Sequence, residues 1–521
     1  MHEIEPLLLA LMVAVAGLSV LARMVRVPYP ILLVLGGLVI GFVPGMPEVT
    51  LPPELVLVAF LPPLLYWSGF FASPRDLRAD ARTISLLAVG LVLATATAVA
   101  VVAMALVDGM TWPVAFALGA IVSPTDPLAA SAIGRRLGVP RRLLTVLEGE
   151  SLVNDATALV AYRVAVAAAV SGNFVAWQAG MRFVVGAAGG VAIGLLVGWL
   201  VAEVRRRLDD PVVEIVVSVF TGYAAYLPAE LLGVSGVLAA VTTGLYVGWR
   251  APQLATASTR LLGFSFWEVL VYLANAVLFI LVGLQLRPIL EELAGTPVAV
   301  LVAQGALVSA VVVAVRVGWG FSVPYLVRLL DRRPSQVMRR VEAKGRLLLG
   351  WSGMRGAVSL AAALALPLDF PLRNLILFLT FSVILVTLVV QGLTLPALIR
   401  RLRFEEDDSE EREEVRARLA AASAALDRLG ELAGEDWTRD DTVERLQGLY
   451  EFRRRRLKAR GGYLEDDGAE DRSQAYQRLV RELLEAQRRA IVRLRNQGQI
   501  SSDVMHRIER ELDLEDSRLE I

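Results

Sequence analysis

The chain has 521 residues, 55% of them hydrophobic, and its acidic and basic residues balance to no net charge. A mean hydropathy of +0.57 over that length is too apolar for a soluble globular protein, and the balanced charge gives no footprint for nucleic acid. Cysteine is absent, which excludes disulfides and thiolate metal sites.

The apolar residues fall in about thirteen stretches near the roughly 20-residue length that a bilayer demands. They are 6–24, 28–45, 53–71, 83–107, 111–133, 143–170, 178–205, 211–229, 231–249, 266–286, 298–327, 347–367 and 372–398. The first has no small-residue cleavage box and is followed by further spans, so it reads as a span and not a signal peptide. Basic residues occupy alternate loops: Arg23 and Arg26; Arg75, Arg78 and Arg82; Arg135, Arg136, Arg141 and Arg142; Arg205 to Arg207; Arg250 and Arg260. A dense cluster follows at Arg328, Arg332, Arg333, Arg339, Arg340, Lys344 and Arg346, and Arg287 and Arg373 are the exceptions to the alternation. The positive-inside rule makes those loops cytoplasmic, which puts the N-terminus outside and, with an odd number of spans, the C-terminus inside.

Composition changes at about residue 402, where the acidic run Glu405–Glu414 opens a charged tail. Within it Val415–Leu432 and Ala475–Leu494 carry apolar residues at helical spacing, and Gly461-Gly462 separates two helical parts. The expected fold is therefore an all-α polytopic membrane protein over residues 1–400, followed by a cytosolic helical domain over 401–521. The tail has no nucleotide-binding signature; self-association, trafficking or ligand sensing all remain open for it.

Three motifs put polar chemistry at membrane depth. In Glu148-Gly-Glu-Ser-Leu-Val-Asn-Asp155, Ser151 and Asp155 are four residues apart on one helix face, and Glu150 and Asn154 share the next. An ionisable Asp155 there costs about 2.5–3.5 kcal/mol on insertion scales, so it needs a partner or a task. Glu148 lies about 10 Å nearer the cytosol at 1.5 Å per residue and reads as an entrance-funnel or helix-start carboxylate. Ser123-Pro-Thr-Asp-Pro127 places two prolines around Asp126 in the fifth span, which should unwind there beside a cavity. Trp351-Ser-Gly-Met-Arg-Gly-Ala-Val-Ser359 puts Arg355 between glycines in the twelfth, and Glu150 is the carboxylate expected to pair with it. Arg316, Glu230 and Glu268 read as members of local bridges or as interface positions. Only His2 and His506 exist, both outside the spans, so intramembrane proton chemistry must run on carboxylates. That also removes the base an intramembrane serine protease would need at Gly350-Trp-Ser-Gly353 or Gly233-Val-Ser-Gly236.

If spans one to six and eight to thirteen are repeats, the interrupted fifth and twelfth correspond. An offset of seven spans makes the repeats inverted, and paired interruptions point to a carrier's binding site rather than to a channel.

These three motifs, in this order, resemble the monovalent cation:proton antiporters of the sodium/proton exchanger type, across about residues 6 to 398. The resemblance implies a core domain moving as an elevator against a dimerising domain in the plasma (bacterial inner) membrane. It implies that Asp155 carries cation or proton, with Ser151, Asp126, the backbone at Thr125 and Asn154 assisting and Glu150–Arg355 as the structural pair. The partners implied are the cation, the proton, the bilayer and a second copy, with no cofactor. Asn154 beside one carboxylate matches the branch without two adjacent acids, for which one-for-one electroneutral exchange is expected. One departure is Leu61-Pro-Pro-Leu-Leu-Tyr-Trp-Ser-Gly69, which lacks the acidic residue that many relatives carry there. Sodium is the expected ion, with potassium as the alternative and a cation channel as the more distant one.

Overall fold

The structure is a computed structural model describing residues 4–25, 27–44, 56–172, 176–293, 295–330, 341–404, 409–463 and 468–519. His2, Arg26, Arg332, Arg333, Arg339, Arg340 and the start of the acidic run lie outside those residues. Two compact units are present, Met1–Glu406 and Asp407–Ile521.

Every described part of the membrane unit is built from helices, and helices fall on each of the apolar stretches read from the sequence. Among the described residues seven are long and apolar enough to cross a membrane, and shorter apolar helices accompany them. The two interruptions fall where the prolines and glycines require them. Trp112–Val122 stops before Pro124 and the chain resumes as Leu128–Arg136; Ala343–Trp351 stops before Gly353 and resumes as Ala357–Leu364. In the last span a π-helical turn, Thr387–Gln391, widens the helix beside the second break.

The membrane helices pack in two groups. Tyr29–Gly41, Leu61–Phe71 and the helices from Ala176–Arg205 to Ala257–Leu284 pack mainly on one another. Val92–Leu106, both broken spans, Arg141–Ser171, Val298–Leu330 and Arg373–Val386 make the second group. Water drives no packing between helices inside lipid, so contact relies on close backbone approach over small residues. Gly37 and Gly283 face each other: a Cβ on Gly37 would stand 2.2 Å from the carbonyl oxygen of Ile280, and one on Gly283 2.2 Å from that of Val34. Gly244 crosses Leu61–Phe71 in the same way, with 2.1 Å to the carbonyl of Tyr66.

The second unit holds Ser409–Leu432, Asp440–Arg460, Ala469–Asn496 and Ser502–Leu519. Its last two helices close over Leu484, Ile491, Met505 and Leu512, and Arg488 ties them together through Asp513 and Asp516 at 2.7 and 3.1 Å.

Gly283→Leu should force the second and tenth spans apart and destabilise the protein by about 1–3 kcal/mol, the usual cost of overpacking. Gly180→Leu, where no atom lies within 4 Å of an added Cβ, should melt with the wild type. Thermal unfolding in detergent separates the two, and equal melting of both variants would contradict the close crossing.

Candidate cation and proton site

The two unwound segments cross. Asp126 N–H donates to the carbonyl oxygen of Met354 at 2.8 Å, a peptide bond to peptide bond contact between the two breaks. Each break leaves one helix end with free carbonyls and one with free N–H groups, and the partial charges there need compensation. Arg355 serves the carbonyl ends. It is 1% exposed, its Nε donates to Val122 O at 3.1 Å and its Nη1 to Gly353 O, and its backbone N–H donates to Thr387 Oγ1 at 3.1 Å. Asp126 serves the N–H ends. Its Oδ1 accepts from Leu128 N at 2.9 Å, and its carboxylate lies against Gly356, where a Cβ would come within 2.1 Å of Oδ2.

The sixth span, Arg141–Ser171, runs past this crossing and carries the rest. Glu150 is 1% exposed and is gripped by Arg316, with Nη1 to Oε1 at 2.5 Å and Nη2 to Oε2 at 2.8 Å. Arg316 Nε also donates to Leu349 O at 3.1 Å, so its guanidinium fork is saturated on one edge. The expected Glu150–Arg355 bridge is therefore corrected: Glu150 pairs with Arg316 from the eleventh span. The reason is the break itself, because the carbonyls of Val122 and Gly353 hold the Arg355 guanidinium. From Glu150 a chain continues outward, with Thr125 Oγ1 donating to Oε1 at 3.2 Å and Asn154 Nδ2 donating to Thr125 Oγ1 at 2.9 Å. Asn154 is fully buried and its Oδ1 has no hydrogen-bond partner.

Asp155 stands apart from that chain. It is 8% exposed, and among the described residues its carboxylate has no hydrogen-bond or ion-pair partner. Asp126 is close enough for the two carboxylates to act on each other electrostatically. Ser151, partly exposed, is one helical turn before Asp155. Glu148 forms an exposed bridge to Arg135 at 2.6 Å, a pairing worth little in water. Among the described residues no three His, Cys, Asp or Glu side chains gather as a multivalent metal site would require. Two carboxylates with neutral oxygens suit a hard monovalent cation or a proton.

The outlying ionisables resolve differently. Glu230 pairs with Arg163 at 2.5 Å, and Glu268 is exposed on its helix. The segment lacking an acidic residue is aromatic: Trp67 stacks on Trp267 with centroids 4.9 Å apart and meets Phe71 edge-on at 4.3 Å. Thr387, which receives the Arg355 N–H, escaped the sequence reading because a lone threonine in an apolar run carries no signal.

An unpaired carboxylate thus lies on a helix that passes two crossed, interrupted helices. The model of the family described as sodium/hydrogen exchanger, transmembrane, matches residues 8–401. An uncharacterized Na⁺/H⁺ exchanger of Mycobacterium tuberculosis is 39% identical, over 98% of this chain and 95% of that one. A sodium, potassium, lithium and rubidium/H⁺ antiporter of Bacillus pumilus is 33% identical, over 76% of this chain and 61% of that one. The solved sodium proton antiporter MjNhaP1 of Methanocaldococcus jannaschii shares the fold, with a TM-score of 0.57 at 21% identity over 77% of this chain and 100% of that one. The chain belongs to the sodium/hydrogen exchanger family, and it is a transporter.

Removing the Arg316 guanidinium would leave Glu150 buried and unpaired, a loss on the order of 3–5 kcal/mol. Arg316→Ala should lower the melting temperature and the yield, and adding Glu150→Gln should restore part of both. Strict additivity of the two substitutions in the melting assay would show that the residues do not act as a pair.

Proposed function

We propose that Asp155 is the carrier, binding the monovalent cation and the proton alternately, and that Asp126 and Ser151 lend oxygens to the cation. The carrying observation is that Asp155 alone among the buried carboxylates of the crossing is held by no cation or donor. A carboxylate locked to an arginine, as Glu150 is, cannot exchange ligands, so the Glu150–Arg316 pair and Thr125 have a structural role. Asn154 orients Thr125 and keeps a buried Oδ1 without a hydrogen-bond partner. The protein exchanges sodium for protons by alternating access, as a homodimer in the plasma membrane with its N-terminus outside and its C-terminus in the cytoplasm. The group containing Asp155 moves past the other, and no cofactor is required. Potassium is the second reading, supported by the range of ions in the name of the Bacillus relative.

Asp155→Asn keeps the shape of the side chain and removes its charge and its proton. Cation-driven proton flux in proteoliposomes should vanish while the protein retains its folded melting profile; flux that persists would move the role to Asp126. Running the wild type with Na⁺, K⁺ and Li⁺ in turn decides the ion.

One carboxylate that holds either a cation or a proton returns equal charge in each direction. The exchange rate should therefore be indifferent to an imposed valinomycin potential, with potassium transport by the protein itself excluded beforehand. Competition for one oxygen pair also means that acid suppresses cation binding by mass action, so the apparent KM for sodium should rise as pH falls. A rate that follows the sign and size of the potential would refute one-for-one exchange.

A further inference from the structure

We propose that the paired ends of the seventh and ninth spans, in the packing group that does not carry Asp155, form a binding site for an anionic phospholipid. Ala176–Arg205 and Gly236–Leu254 lie closely side by side, with Gly194 against Ala239 and Thr243 Oγ1 donating to Gly194 O at 2.9 Å. Between their ends is a small cavity of about 80 Å³, lined among others by Trp199, Glu203, Arg206, Tyr246, Arg250 and Gln253. It is too small for a drug-sized molecule, which needs about 300 Å³ or more. It has room for one phosphate.

Charge is in excess there. Arg206 and Arg207 share one carboxylate, Glu203, at 3.2 and 2.9 Å. Arg250 has no ion-pair partner among the described residues; its guanidinium rests over Trp249 and Tyr246, 5.0 and 5.8 Å from their ring centroids, and its buried Nε has no hydrogen-bond partner. Two guanidinium groups, Arg206 and Arg250, thus line the cavity with one carboxylate, Glu203, which Arg207 also engages from outside it. Guanidinium donors recognise phosphate oxygens in a forked geometry, and Arg250 is already held in place by its aromatic neighbours.

The wall leading from the cavity identifies the occupant. Leu195, Leu196 and Trp199 continue from Glu203 along one helical stripe and are 47, 57 and 54% exposed. A free phosphate would use the arginines and leave that stripe untouched. A phospholipid uses both: its phosphate between Arg206 and Arg250, an acyl chain along the leucines, and Trp199 and Trp249 at headgroup level as in an interfacial belt. The positive-inside rule puts these ends at the cytoplasmic leaflet, where basic pockets between spans take anionic headgroups.

The full chain, delipidated in neutral detergent, should be stabilised by phosphatidylglycerol and not by phosphatidylcholine, as read by thermal shift and by native mass spectrometry. Arg206→Ala with Arg250→Ala should raise the half-saturating phosphatidylglycerol concentration by about tenfold or more, as loss of charge-assisted donors implies. Gln253→Glu, at an exposed position, should weaken binding without removing any packing, which covers the case of a double variant that does not fold. Unchanged phosphatidylglycerol binding in both variants would overturn the proposal. So would equal stabilisation by glycerol 3-phosphate or inorganic phosphate, which would make this a soluble-anion site.

Discussion

The structure depends on solving one electrostatic problem: two helices are cut in the middle of a membrane, and the cut ends must be neutralised without water. Backbone groups left unpaired in hydrocarbon cost several kcal/mol each, so an interruption survives only where something replaces the lost partners. Crossing the two breaks supplies the first replacement, the Asp126 N–H to Met354 carbonyl bond. The remaining dipole ends are matched by sign, with Arg355 on the carbonyls and Asp126 beside the N–H groups. An aspartate and an arginine are therefore required at the crossing before any ion is considered.

This requirement sorts the buried charges into two kinds. Arg355 is committed to backbone, so Glu150 takes its partner from another span, and Arg316 clamps it with both terminal nitrogens. The clamp passes through Thr125 to Asn154 and fixes the unwound segment against the sixth span. Asp155 lies one position beyond Asn154, on the neighbouring face, and is left outside this network. A single residue step thus separates Asn154, which belongs to the network that holds the fold, from a carboxylate that the network leaves unpaired.

The alternating access proposed above has to be compatible with these bonds. The crossing, Glu150, Arg316 and Asp155 all belong to one packing group and can travel together without breaking a contact among themselves. Between the groups, Arg163–Glu230 joins the sixth span to the eighth at 2.5 Å. Any sliding of one group past the other must open that bridge, while the glycine-lined crossings at Gly37, Gly244 and Gly283 lie wholly within the other group.

Local chemistry made the elements legible in sequence. Bilayer thickness sets the length of an apolar stretch, and proline and glycine break helices wherever they occur, so the spans and both interruptions could be read from the chain. Four-residue spacing likewise put Ser151 with Asp155 and Glu150 with Asn154, because it depends only on helical pitch. Partner choice between distant spans has no such local rule. Glu150 could pair with Arg355 or with Arg316, and both are intramembrane arginines. Only the packed structure decides, because it brings the carbonyls of Val122 and Gly353 to Arg355 and leaves Arg316 free to reach across. The basic cavity at Arg206 and Arg250 is of the same kind: its residues are 44 positions apart in sequence and meet only through the close contact of two helices. Sequence determined what each segment is; tertiary packing decided which charges are spent on the fold and which remain available.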